Sequence, residues 1–224
     1  MNPVVRRFAQ IGVLILVQAL ALFLSVGRWN WTEGWAYLGL YLAFIALNAV
    51  LILPKGTALI EERGRTEIPH GWDRVVGVFI AVCGPAILIV AGLDERLGWA
   101  PALGFGMQAG AFGLMALGDL LFAWAMSTNQ FFSAVVRIQS ERGHVVVSGG
   151  PYRFVRHPGY VGMLLSSLAT PLMLGSLWGL IPAVVLAGVM VYRTAREDAT
   201  LRDELAGYVD YTQRVKYRLL PGIW

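Results

Sequence analysis

Cysteine occurs once in the 224 residues, histidine three times, and charged residues make up only 14%. The single thiol, Cys83, excludes an intramolecular disulfide and a thiolate-rich metal site, and is read as a packed apolar residue. His70, His144 and His157 do not form a ligand spacing, so no metal is expected. Scarce charge, with 57% hydrophobic residues and a mean hydropathy of +0.61, excludes an ordinary soluble domain of this size. Lys and Arg are absent from four long apolar runs, Phe8 to Val26, Trp35 to Leu53, Val75 to Leu93 and Ala102 to Met126. Each is long enough to cross a hydrocarbon core about 30 Å thick at about 1.5 Å per helical residue.

A fifth apolar tract, Gly159 to Tyr192, is too long for one crossing, and Gly175-Ser176-Leu177-Trp178-Gly179 offers the turn that folds it into a hairpin. The expected fold is all-α: a polytopic integral membrane protein with about six transmembrane helices, five or six, ending in a helical hairpin. Residues 1–126 read as a membrane base of four spans and 127–224 as a catalytic core of loop, hairpin and tail. Arg28 and Arg96 sit in the first and third loops, whereas the other 16 of the 18 basic residues lie at the N-terminus, second loop, post-span loop and tail. Basic residues accumulate on the cytoplasmic side, so both termini and the candidate chemistry are expected there. The net charge of +4 follows from this bias and suits anionic headgroups; no basic, aromatic-interleaved surface for nucleic acid is present. Arg6 and Arg7 before the first run outline a secretory signal, but the run's length favours an uncleaved span.

Three features inside the base admit bland readings. The second loop, Pro54 to Arg74, mixes Glu61, Glu62, Arg63, Arg65, Glu67, His70, Asp73 and Arg74, and reads as a solvated connector. Asp119 is the one carboxylate within the early spans, either functional or hydrogen-bonded to another span, with Asn48 or Gln108 as polar company. Gly104-Phe105-Gly106-Met107-Gln108-Ala109 fits a dinucleotide-binding pattern formally, but no strand precedes it. Gly106, Gly110 and Gly113 instead suggest close helix packing.

Chemistry concentrates after the fourth span. His144 to Tyr152 reads as an extended segment closed by a tight turn, in which Gly149 and Gly150 let backbone amides approach a ligand and Pro151 fixes the exit. Pro158 suits the first turn of the next helix, leaving His157 at its electropositive end, where a carboxylate is favoured. Arg193, Glu197 and Leu201 recur every four residues and share one helical face, with Asp198 turned aside by about 100°. Arg193 and Glu197 can pair with each other at that spacing.

Gly150-Pro151-Tyr152, Arg156-His157-Pro158, Tyr160-Val161-Gly162, Arg193, Glu197-Asp198, Leu201, Tyr208, Tyr211 and Arg214-Val215 resemble the C-terminal core of the isoprenylcysteine carboxyl methyltransferases and related phospholipid methyltransferases, over roughly residues 129–224. The resemblance implies a membrane-embedded enzyme using S-adenosylmethionine, acting on a lipophilic small-molecule or lipid-modified acceptor among membrane lipids. It implies that His144, Val145, Val146, Val147, Gly149, Gly150, Pro151 and Tyr152 line the cofactor pocket, with Arg156, His157, Tyr160, Asp198 and Leu201 also cofactor-binding. Arg193 and Glu197 would be the active-site pair, Arg193 orienting the acceptor and Glu197 positioning Arg193 or touching the acceptor. Family members commonly carry two consecutive glutamates where this chain has Glu197-Asp198, so the second acid's contact is open. The acceptor is a prenylcysteine carboxylate, an amino-phospholipid, or a smaller isoprenoid or thiol. The ending, Tyr208 to Trp224, also resembles sterol reductases, which use a reduced nicotinamide cofactor, and a non-catalytic membrane binding protein is a third reading.

Overall fold

The structure, a computed structural model, describes residues 3–55, 58–64, 68 and 70–224, and among these every regular element is helical. Eight α-helices follow in order: α1 (Pro3–Val26), α2 (Thr32–Ile52), α3 (Ala58–Arg63), α4 (Gly71–Leu97), α5 (Phe105–Thr128), α6 (Pro158–Met173), α7 (Leu180–Glu204) and α8 (Tyr208–Arg214). α1, α2, α4 and α5 are long and apolar enough to cross a membrane, and they hold the four lysine- and arginine-free runs apart from Leu53 and residues 102–104. The hairpin is α6 and α7, turning at residues 174–179 as the glycines suggest. At 16 residues, α6 is about 24 Å long, short of a full hydrocarbon core.

α5 and α6 pack closely where two glycines face each other. A Cβ on Gly118 would lie 2.7 Å from the Gly162 carbonyl oxygen, and one on Gly162 would lie 2.5 Å from that of Gly118. Gly106, Gly110 and Gly113, expected to mediate packing, have open space where a Cβ would stand, so the small-residue contact belongs to another pair. The sequence pattern could not distinguish them because both sets are glycines on an apolar helix. Gly162→Val is expected to destabilise the fold by about 1–3 kcal/mol through overpacking, read as a lower Tm in detergent. Gly106→Val serves as the neutral control, and equal Tm values for the two would remove this role from Gly162.

At the hairpin-turn end, Asp94 near the close of α4 accepts from the Ala100 amide (2.8 Å) and from Ser176 Oγ (2.6 Å), and Ser176 Oγ in turn accepts from the Gly179 amide (3.0 Å). Trp29, Trp35, Trp99 and Trp178, all in loops or first turns near this end, are exposed, as side chains at a lipid–water boundary are. Arg28 pairs with Glu95 on this side. Cys83 packs in the core with Ile87, Ala183, Leu186 and Met190. The opposite end collects α3, the loop of residues 129–157, the last turns of α7, α8 and the tail.

Candidate active site

The loop is first fastened to the end of α5. Asn129 Oδ1 accepts from the Phe131 amide at 2.9 Å, turning the chain out of the helix, and Tyr152 reaches back toward the Ala125 carbonyl (3.4 Å). Gly150 has φ +54°, and a Cβ there would meet Thr128 Oγ1 at 2.8 Å. Close packing against α5 is therefore one reason for glycine at this position. Gly149, Gly150 and Pro151 lie outside the cleft described next.

Two cavities meet behind this loop. The first is a narrow cleft walled by His144 to Val147, Tyr152, Arg156, His157, Tyr160, Glu197 and Leu201, closed by Leu205, Tyr208 and Tyr211 beyond α7. It brings together most of the cofactor-binding positions implied by the resemblance, and adds Phe131 and Arg137. Among the described residues, the backbone amides of residues 145–148 have no hydrogen-bond partner in the protein. Edges of extended backbone left unpaired beside a cleft are ready to take a planar heterocycle or another polar ligand. The Gln139 backbone N–H donates to His144 Nδ1 at 3.2 Å, so the proton of the neutral ring is on Nε2. Burial, then the Arg137 and Arg142 guanidiniums, lower the His144 pKa and favour that neutral form. The mixture of free backbone groups, a donor imidazole, the Glu197 carboxylate and apolar valines and leucines fits a nucleoside-containing methyl donor.

The second cavity, about 550 Å³, runs among α1, α2, α4, α5, α6 and α7 and is mainly apolar. It shares Tyr160, Phe132, Ser133 and Val135 with the first, so these four form the partition. Arg193 faces the apolar side and Glu197, one turn on, the cleft side. Tyr160 links them: its hydroxyl donates to Glu197 Oε2, and the Arg193 guanidinium lies 5.7 Å from its ring centre.

Arg193 does not pair with Glu197. Its carboxylate partner is Asp73 from the first turn of α4, with Nε 3.1 Å from Oδ1, while Nη2 donates to the Ala134 carbonyl at 2.7 Å. Asp73 Oδ2 also accepts from the Val136 amide (2.9 Å), so one carboxylate fixes both the arginine and the loop. Glu62 is similarly buried and takes Arg137 Nε (2.9 Å), Arg137 Nη2 (2.7 Å) and Ser133 Oγ (2.9 Å). The second loop is therefore no solvated connector at Glu62 and Asp73. Partners 63 to 120 residues distant leave no local signal. Asp119 does hydrogen-bond another span, but its partner is Ser166 on α6 (2.8 Å), not Asn48 or Gln108. Of the connector's other groups, Arg65 and Glu67 lie outside the described residues.

Asp198 stands apart from both cavities. Fully buried, it accepts from Arg156 Nε (2.7 Å) and Nη2 (3.1 Å), Arg218 Nε (2.9 Å), Tyr208 Oη (3.1 Å) and Arg202 Nε (3.2 Å), with His157 Nε2 at 3.3 Å. Burial pushes its pKa up, but hydrogen bonds from His157, Arg156 and Arg218 prevail and hold it well below the usual carboxylate range. Arg156 Nη1 donates to the Val215 (2.8 Å) and Lys216 (2.7 Å) carbonyls. The Arg-His corner and Asp198 thus bind the tail to the loop. Both oxygens of Asp198, expected to touch the cofactor, accept from donors within the chain.

This arrangement invites comparison with known proteins. Residues 111–203 match the Isoprenylcysteine carboxyl methyltransferase (ICMT) family. The resemblance read from the motifs is borne out, and the matched stretch holds Arg193, Glu197 and Asp198. Similar relatives are the protein-S-isoprenylcysteine O-methyltransferase of Schizosaccharomyces pombe, 39% identical over 31% of this chain and 30% of that one, and O-methyltransferase B of Arabidopsis thaliana, 34% identical over 46% of this chain and 55% of that one. The matches thus span 30% and 55% of these ICMT relatives' own lengths. A solved structure described as the eukaryotic intramembrane Ras methyltransferase ICMT overlays 93% of this chain and 73% of its own, with a TM-score of 0.55 and 20% identity. That likeness concerns the fold, and it extends across the spans before residue 111 that the ICMT match leaves out.

Proposed function

We propose that the chain transfers a methyl group from S-adenosylmethionine to the carboxylate of an isoprenylcysteine-type acceptor, forming a methyl ester at the cytoplasmic membrane face. The carrying observation is the partition: a cleft with free polar backbone on one side, an apolar cavity within the membrane helices on the other, and Arg193 and Glu197 divided across it. The relatives' names support the acceptor class. Collection of the basic loops, both chain ends and the cleft at one end of the bundle, with Arg28 at the other, supports the cytoplasmic orientation.

Bound in the cleft, S-adenosylmethionine would supply an electrophilic methyl on a sulfonium, displaced in line by a carboxylate oxygen. The chain's own task is alignment and exclusion of water. His144 Nε2–H and the backbone of residues 145–148 would hold the donor's polar and heterocyclic parts, while Glu197, fixed by Tyr160, offers a carboxylate to hydroxyl or ammonium groups. Arg193, held by Asp73 and Ala134, orients the acceptor headgroup, and the apolar cavity takes its prenyl chain. No general base is needed, because the attacking carboxylate is already ionised at neutral pH.

The test follows labelled methyl from the cofactor into a farnesylcysteine acid presented in vesicles. Alkali-labile product is the expected result. Alkali-stable label would point instead to an amine or thioether acceptor, and binding of a reduced dinucleotide without S-adenosylhomocysteine binding would replace the transferase by a reductase.

A further inference from the structure

Three guanidiniums around the two cavities are matched to carboxylates: Arg193 to Asp73, Arg137 to Glu62 and Glu141, Arg156 to Asp198. Arg63, the last residue of α3, is not. Its guanidinium carbon lies 5.3 Å from the Phe132 ring centre and 5.6 Å from that of Phe122, so aromatic faces anchor it. Among the described residues it has no hydrogen bond and no ion pair. It lines the 550 Å³ cavity and also a second apolar cavity of about 300 Å³ between α1, α2, α3 and α5. Arg7 lines both as well, and its Nη1 donates to Gln10 Oε1 at 3.4 Å.

Position gives this charge its meaning. Phe132 belongs to the partition, so Arg63 rests against the wall across which transfer is proposed to occur. Asp73 offsets the charge of Arg193, leaving that side chain a geometric donor more than a net attractor. Of the carboxylates lining the same cavity, Asp73 is held by Arg193 and the Val136 amide, and Asp119 by Ser166 on the inner part of α6. Burial, followed by the nearby Arg7 and Arg193 charges, lowers the Arg63 pKa to about 10, so it stays cationic at neutral pH, with no carboxylate partner among the described residues.

We propose that Arg63 is the charge-selecting residue of the acceptor cavity: it admits a lipophilic acceptor with an anionic headgroup and rejects neutral or cationic ones, while Arg193 sets the reacting geometry. This rests on the methyltransferase reading and deepens it. Arg63 lies outside the matched residues 111–203, so the selection would be a property of this chain's membrane base.

The experiment uses the full chain in nanodiscs, with N-acetyl-S-farnesylcysteine as acceptor and its neutral carboxamide as competitor. The wild type is expected to prefer the acid strongly. In Arg63→Gln, KM for the acid rises on the order of ten- to a hundredfold, kcat changes little, acid and amide bind alike, and S-adenosylhomocysteine affinity is unchanged. Arg63→Lys restores part of the preference. Arg63→Met, which keeps packing against both rings, repeats the Gln result and guards against a folding defect in one variant. Retained acid preference in an active Gln or Met variant overturns the inference alone. A wild-type chain that transfers no methyl to the acid, yet still prefers it over the amide, overturns the transferase reading and leaves charge selection standing.

Discussion

Arg193→Ala is expected to lower kcat for methyl transfer by a factor on the order of 10²–10³, the range for removing one preorganised donor at a reacting centre, and to leave S-adenosylhomocysteine affinity nearly unchanged. The separation of effects comes from the partition: Arg193 lines the apolar cavity and not the cleft. A second consequence follows from Asp73. Buried and facing the vacated site, it loses its charge partner, and breaking a buried pair costs on the order of 3–5 kcal/mol. Lower Tm would therefore accompany lost turnover in the single variant. Asp73→Asn combined with Arg193→Met removes the orphaned charge, so Tm should recover while turnover does not. Arg193→Lys keeps the charge but not the planar fork, and an intermediate rate is expected. Methyl transfer by the alanine variant within a few-fold of wild type would remove Arg193 from the proposed centre.

Local patterns carried much of this architecture. Four runs free of Lys and Arg marked the long helices, because hydrocarbon excludes charge irrespective of tertiary detail. The Gly175 to Gly179 turn marked the hairpin for a similar reason: the apolar tract exceeded the bilayer. Helical periodicity also set Arg193 and Glu197 on one face, yet it could not reveal that Tyr160 stands between them and that Asp73 takes the arginine. Those contacts join residues 37 and 120 positions apart, and pairing at such separation is a property of packing. The same limit hid Glu62 and Arg63, which looked like any charged loop until α3 folded beneath the partition. Under a division at residue 126, the cleft comes wholly from the second part, whereas the apolar cavity, Asp73, Glu62 and Arg63 draw on the first.

Asp198→Asn tests the other half of the site and is expected to fail in a different manner. The carboxylate receives donors from the loop, α7, α8 and the tail, so its neutralisation leaves Arg156 and Arg218 without their counter-ion, a loss on the order of 3–5 kcal/mol for a buried pair. The tail then loosens at Val215 and Lys216, whose carbonyls are held by the same Arg156. Tyr208 and Tyr211 wall the cleft, so donor affinity falls together with Tm, and limited proteolysis cuts beyond residue 205 sooner than in wild type. Arg193→Ala predicts the reverse pairing of intact donor affinity with lost turnover. The pH dependence has a definite sign. The folded pKa of Asp198 lies below its unfolded value of about 3.9. Its contribution is complete above that value and disappears as pH falls toward the folded pKa. Between pH 6 and 8 this group leaves Tm flat, and the gap between wild type and Asp198→Asn stays constant. A variant with normal Tm and protease resistance but weakened S-adenosylhomocysteine binding would instead make Asp198 a direct ligand of the donor, against its closed ring of internal partners.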